Sequence, residues 1–126
     1  HYQGLRESIL AGKPHIDLGE EAVGYQAGAC ALTPGGGLYA ADTGAGVALL
    51  CAEGIEDGSL LAKEVLGEAE AVERLLAWLP RLLPAWSGIW RCPGDNLQFG
   101  MLKWLDPARA ERWDWERRAY LGLAFD

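Results

Sequence analysis

Residue types able to do covalent or acid–base chemistry are sparse in this chain. Cys30, Cys51 and Cys92 form no Cys-x-x-Cys pair, and His1 and His15 are the only histidines. A thiolate nucleophile needs a neighbouring base, and no spacing brings His15 to Cys51 or Cys92. Cys51 lies in the most apolar run of the sequence, which favours an inert core thiol. So few histidines, with scattered cysteines, supply no zinc ligand set. An odd number of widely spaced cysteines is expected of reduced thiols in a cytoplasmic core. Glu53, Glu56 and Asp57 gather around one turn, where they could hold a cation or an amine; a solvated loop accounts for them more simply.

Phosphate chemistry has three candidate segments. Gln26-Ala-Gly-Ala-Cys-Ala falls inside a predicted helix instead of following a strand. Gly35-Gly-Gly37 and Gly44-Ala-Gly46 read as turns, and neither opens a helix where free backbone N–H groups would meet an anion. The aromatic residues are more suggestive. Trp78, Trp86, Trp90, Trp104, Trp113 and Trp115 all fall in the second half, near Arg109, Arg112, Arg117 and Arg118. Trp and Arg are enriched at interface hot spots. A docking surface and ordinary core packing both account for them.

The elements that must position these residues follow from periodicity. Leu5, Ile9 and Leu10 mark a first helix, which stops near Gly12 and Pro14. A second runs over residues 19–32, with Glu20 and Glu21 in its first turn facing the positive end of the helix dipole. Strands are predicted over 38–42, 47–53 and 60–66, joined by Thr43-Gly-Ala-Gly46 and by a turn ending in Asp57-Gly58, a hairpin signal. They make an antiparallel meander. Ala69, Val72, Leu75, Leu76 and Leu79 repeat at helical spacing, so a helix is expected over 68–79, closing near Pro80 or Pro84. Strands over 89–92 and 98–105, a short helix over 107–118 and a final strand over 120–125 complete the chain.

Length and charge bound the rest. A chain of 126 residues suits one domain and can bury about two thirds of its unfolded surface. The formal net charge of -7 argues against nucleic acid, whose phosphates require a basic face. No apolar run approaches the roughly 20 residues needed to cross a bilayer, and Arg6 and Glu7 interrupt the opening residues where a secretory leader would be apolar. The expectation is one domain over residues 1–126 without membrane partners. Because the chain opens at His1 with no Met, it is expected to be a fragment or a trimmed form of a longer protein.

The element order, helix-helix, three-strand meander, helix, then three strands, resembles a GNAT-family N-acetyltransferase fold lacking its first strand. The segments Gly46-Val-Ala-Leu-Leu-Cys-Ala-Glu-Gly54, Leu61-Ala-Lys-Glu-Val-Leu-Gly67, Phe99-Gly-Met-Leu-Lys-Trp and Tyr120-Leu-Gly-Leu-Ala-Phe-Asp126 are similar to the second, diverged half of two-domain GNAT proteins from Gram-positive gut bacteria. The resemblance implies an α+β fold with a mixed, mostly antiparallel sheet flanked by helices. It also implies an amino-terminal catalytic half as partner, acetyl-CoA as the cofactor of the parent protein, and an amine as acceptor.

The family's catalytic and cofactor residues do not carry over. Active domains bind the pyrophosphate of acetyl-CoA in a Gln/Arg-x-x-Gly-x-Gly/Ala loop before a helix; here that place reads Leu66-Gly-Glu-Ala-Glu-Ala71. Glu68 and Glu70 satisfy the helix dipole themselves and repel a pyrophosphate. Pro93-Gly-Asp-Asn96 is too short for the helix that often supplies a tyrosine acid. The resemblance therefore points to a domain that shapes the acceptor cleft, docks the active half or forms a homodimer, without catalytic, cofactor or metal residues of its own. Trp90, Trp104, Trp113 and Arg117 are the docking or cleft candidates. Asp126 is a further one, because in some multi-domain relatives a terminal carboxylate enters the catalytic cleft. The alternative is a small-ligand or protein-binding module, with an apolar ligand held between Trp90 and Trp104.

Overall fold

A computed structural model describes residues 1–83, 87–90, 105–114, 116, 119–120 and 122–125. Its elements in chain order are α1 (Tyr2–Leu10), α2 (Glu20–Ala31), β1 (Gly37–Asp42), β2 (Val47–Gly54), β3 (Leu60–Leu66), α3 (Ala69–Leu82), β4 (Gly88–Trp90) and α4 (Pro107–Glu111), with a 3-10 turn at Gly122–Phe125. The strands lie in the order β1-β2-β3-β4. β1, β2 and β3 form the antiparallel meander expected from sequence, and β4 pairs with β3 in parallel. A parallel neighbour demands a crossover, which α3 supplies. The fold is α+β, a four-stranded mixed sheet flanked by helices.

β2 is central, and Ala48, Leu49, Leu50, Cys51 and Ala52 are all fully buried. Alternate residues of a strand face opposite sides. Leu49 and Cys51 join Leu10, Val23, Cys30 and Leu66 beneath α1 and α2. Ala48, Leu50 and Ala52 join Leu60, Ala62, Ala71, Leu75 and Leu79 beneath α3. A strand covered on both faces reads as a continuous apolar run. Each fully buried leucine contributes about 1.5–3 kcal/mol by removal from water.

The pairing of β2 with β3 slips by one residue. Cys51 faces Glu64 whereas Ala52 faces Ala62, so Lys63 is the extra residue of a β-bulge. A bulge turns two successive side chains toward one side of the sheet, and it governs the site described below.

Several expectations are corrected. α3 runs through Pro80 to Leu82 because core burial outweighs the lost N–H and the crowding that proline brings to a helix. Leu75, Leu79 and Leu83 stay buried at intervals of four, and Leu83 N still donates to the Leu79 carbonyl at 2.9 Å. α4 stops at Glu111, well short of residue 118. It buries none of its residues, and an isolated short helix without a packed face is marginal. Asp114 then takes the Glu116 N–H on its own side chain at 3.0 Å, competing with helical bonding.

The final strand expected over 120–125 is instead a single parallel bridge, His15 to Tyr120, followed by the 3-10 turn. Gly122 has a φ of 51°, a left-handed conformation that ends extension and is native to glycine. The strand expected over 89–92 spans Gly88–Trp90, and residues 91 and 92 lie outside the described residues. So do residues 98–104 of the other expected strand and the Pro93–Asn96 connection.

Candidate functional site

Of the residues singled out in the sequence for docking, Trp90 and Trp113 lie among the described ones. Trp90 ends β4, and Trp113 follows α4 with about a third of its surface exposed. Trp104, Arg117 and Asp126, like Trp86, Trp115 and Arg118, lie outside the described residues. One exposed aromatic side chain that sequence reading did not separate from the core is Trp78. It is 56% exposed on α3 beside the exposed Leu82, with the Arg81 guanidinium 5.3 Å from its ring centroid. Ala41, Asp42, Thr43, Arg74, Leu75, Trp78 and Leu82 line a shallow depression of about 280 Å³ there.

The densest polar chemistry lies on the other face, in residues the sequence had not marked. Arg6 of α1 and Glu64 of β3 are both fully buried. Arg6 Nε donates to Glu64 Oε1 at 3.2 Å and Oε2 at 3.3 Å. The Tyr2 hydroxyl donates to Oε2 at 3.1 Å and the Tyr120 hydroxyl to Oε1 at 3.0 Å. Three donors thus converge on one carboxylate from α1 and from the carboxy-terminal segment. A buried charge is tolerated only when paired and hydrogen-bonded, and Glu64 meets both conditions. The Arg6 guanidinium also stands 5.9 Å from the Tyr120 ring centroid, within cation–π range.

Burial, and then the neighbouring Glu64 charge, push both tyrosine hydroxyls well above their ordinary pKa. They therefore act as fixed donors and not as acids. With its lone pairs occupied, Glu64 is a clamp and not a free base. Arg6 Nη1 donates outward to the Ile16 carbonyl at 3.0 Å and to Glu7 Oε1 at 3.1 Å. Arg6 Nη2 is buried with no hydrogen-bond partner among the described residues.

Two pairs rim this cluster. His15 Nε2 and Glu7 Oε2 are 2.7 Å apart. Lys63 Nζ donates to Gln26 Oε1 at 3.2 Å and pairs with Glu53 at 3.3 Å. Beyond them, Leu18, Gly19, Glu21, Ala22, Tyr25, Gln26 and Leu123 border an open groove of about 580 Å³. Its lining is mostly apolar, and its floor rests on the α1–α2 core.

The remaining candidates separate cleanly. Cys30 and Cys51 are reduced and buried, with their sulfurs 3.6 Å apart. Burial, and then the Cys30 thiol beside it, push the Cys51 thiol far above its ordinary pKa, as expected of an inert core thiol. The acidic turn is divided: Glu53 is spent on Lys63, while Asp57 holds the Ser59 N–H and hydroxyl, which lower its pKa. Among the described residues no group of three or more His, Cys, Asp or Glu side chains is placed to hold a metal ion. No helix among them is long and apolar enough to cross a membrane.

The buried cluster could have been suspected from two signals. Arg6 interrupts the apolar face of α1, and Glu64 falls between inward-facing residues of β3. Compared with family models, with curated proteins and with solved structures, the chain matches none.

Proposed function

We propose that this chain is a non-catalytic GNAT-like domain of a bacterial acetyl-CoA-dependent N-acetyltransferase. Its work is to shape the acceptor cleft and to dock the catalytic half or a second copy. The parent reaction, acetyl transfer to an amine, is taken from the sequence resemblance.

The observation that carries the non-catalytic reading is the amino-terminal end of α3, the place that holds a pyrophosphate in active relatives. Glu68 occupies the N-cap position without a side-chain capping bond, and Glu70 stands in the first turn. Glu70 is paired with Arg74 at 2.7 Å, and Arg74 Nη1 donates to the Thr43 carbonyl at 3.2 Å. The nearest guanidinium is thus engaged by protein acceptors. Gly67 packs so closely on β2 that an added Cβ would meet Val47 O at 2.9 Å and Ala48 Cα at 3.2 Å. The helix end is seated against the sheet, with carboxylates where the dipole would attract an anion. On the same side, exposed Trp78 and Leu82 beside Arg81 offer the side-chain types favoured at interfaces.

Titration calorimetry of acetyl-CoA into this chain at moderate salt tests the reading. The expected result is no heat of binding and no thermal stabilisation. A micromolar dissociation constant would overturn it and restore an enzymatic role.

A further inference from the structure

His15 sits where α1, the loop after it and the carboxy-terminal segment meet. Its Nδ1 lies 2.7 Å from the Lys13 carbonyl oxygen, and its Nε2 lies 2.7 Å from Glu7 Oε2. A carbonyl and a carboxylate accept hydrogen bonds and do not donate them, whereas a neutral imidazole carries one N–H. Only the imidazolium satisfies both contacts at once. The second Glu7 oxygen accepts from Arg6 Nη1 at 3.1 Å, so the chain His15–Glu7–Arg6–Glu64 runs from the surface to the buried cluster.

The backbone around His15 grips the carboxy-terminal segment. Tyr120 N donates to the Pro14 carbonyl at 2.7 Å, and Ile16 N donates to the Tyr120 carbonyl at 3.3 Å. Tyr120 in turn carries its hydroxyl to Glu64, and Leu123 beyond it forms one wall of the open groove. We propose that His15 is a proton-operated clasp: charged, it fastens the loop at residues 13–16 to α1 and thereby holds Tyr120 and the 3-10 turn Gly122–Phe125 on the sheet.

Deprotonation leaves one ring nitrogen facing an acceptor as a lone pair. One of the two contacts becomes repulsive, and the loop loses a tie to α1. Among the described residues, the groups facing the ring are Glu7 and Arg6 from α1, the Lys13 carbonyl from its own loop, and Tyr120 through the backbone bridge. The Lys13 carbonyl, and then Glu7, raise the His15 pKa above its ordinary value. The His15 hydrogen bond lowers that of Glu7. The histidine contribution is therefore fully present below about pH 6.5 and is lost as pH rises through the raised value. The Glu7 contribution is lost as pH falls through its lowered value. The clasp is closed between these limits and opens on the alkaline side by release of the His15 proton.

Nuclear magnetic resonance of the whole chain tests this directly. The His15 Cε1–H titration is followed together with the Leu123 methyl shifts and the exchange protection of the Ile16 and Tyr120 amides, corrected for the intrinsic pH dependence of exchange. The expected result is a His15 midpoint above about 6.5, with Leu123 moving at the same midpoint. Amide protection should fall about tenfold for each pH unit by which the midpoint is raised. Glu7→Gln should lower the midpoint, and His15→Gln should abolish the coincident Leu123 transition. An ordinary His15 midpoint, or a raised one that leaves Leu123 and both amides unmoved, would overturn the clasp. The wild-type titration decides the matter if either variant fails to fold.

Discussion

Lys63 and Glu64 are consecutive in β3, yet both side chains serve the α1–α2 side of the sheet: Lys63 reaches Gln26 of α2, and Glu64 reaches Arg6 and Tyr2 of α1. The bulge at Lys63 makes this possible. In a regular strand one of the two would point toward α3 and enter an apolar layer of Leu50, Leu60, Leu75 and Leu79. With the bulge, Lys63 and Glu64 both stand on the α1–α2 side, where Arg6 meets the Glu64 charge.

Breaking that pair should be costly. Glu64→Gln leaves the buried Arg6 with only the half-buried Glu7 as counter-charge, and breaking a buried pair in this way costs about 3–5 kcal/mol. That is a large part of the total stability of about 5–15 kcal/mol of an ordinary domain. Arg6→Met combined with Glu64→Gln removes both charges and keeps an acceptor for the two tyrosines, so it should recover more than half of the loss. Urea unfolding of the single and double variants measures this. A Glu64→Gln variant within about 1 kcal/mol of the parent would show that the pair does not hold α1 in place.

The carboxy-terminal turn should be intolerant of a side chain at one position. Gly122 has a φ of 51°, and a Cβ there would lie 2.6 Å from Glu64 Oε1 and 2.6 Å from Tyr120 Cε1. Gly12 also has a positive φ, 76°, but nothing stands within 4 Å of its Cβ position. Alanine at either site carries a conformational cost of about 1–2 kcal/mol; at Gly122 a clash with the buried cluster adds to it. Gly122→Ala should therefore lower the unfolding midpoint clearly more than Gly12→Ala, and equal effects would count against the packed position of this turn.

The same turn marks where the sequence was readable and where it was not. The meander and the helices α1 to α3 follow from the continuous apolar run of β2, the turn residues that bound the strands and helical spacing. Near Leu123 that signal is ambiguous: a short apolar run has the same composition whether it extends or coils. The difference was made by Gly122, and by a single backbone bridge at Tyr120 in place of a ladder. The buried cluster was hidden for another reason. Arg6 and Glu64 lie 58 positions apart; each interrupts an apolar pattern locally, but nothing local announces that the two will meet each other. A one-residue bulge, invisible to periodicity, turns Glu64 toward Arg6. The chain's aromatic second half drew attention by composition, but composition does not say which tryptophan faces outward; α3 packing shows that Trp78 does.

The two central thiols should be chemically silent in the folded protein. Cys30 and Cys51 are buried, and the Cys51 thiol is held far above its ordinary pKa, chiefly by burial. Since the thiolate is the reactive species, maleimide labelling at mildly alkaline pH should reach them only through unfolding. Their labelling rates, resolved by peptide mass spectrometry, should rise together as urea approaches the midpoint. Rapid modification of Cys51 in native buffer would place it in a reactive microenvironment instead.

Pro80 offers a test of how α3 is held. It sits on an exposed position of the last turn, inside a helix that continues to Leu82. The helix persists because Leu75 and Leu79 before the proline and Leu83 just beyond the helix keep their places in the core; local propensity opposes it. Proline in a helix interior is unfavourable by about 3 kcal/mol relative to alanine. Close to the end of the helix only part of that applies, and proline's restriction of the unfolded chain returns about 0.4–1 kcal/mol. Pro80→Ala should therefore stabilise the protein by about 1–2 kcal/mol, seen as a higher thermal midpoint. A lower midpoint would mean that the backbone restriction at Pro80 is itself needed to seat Leu79 and Leu83, and that the packing of α3 depends on it as well as on the apolar face.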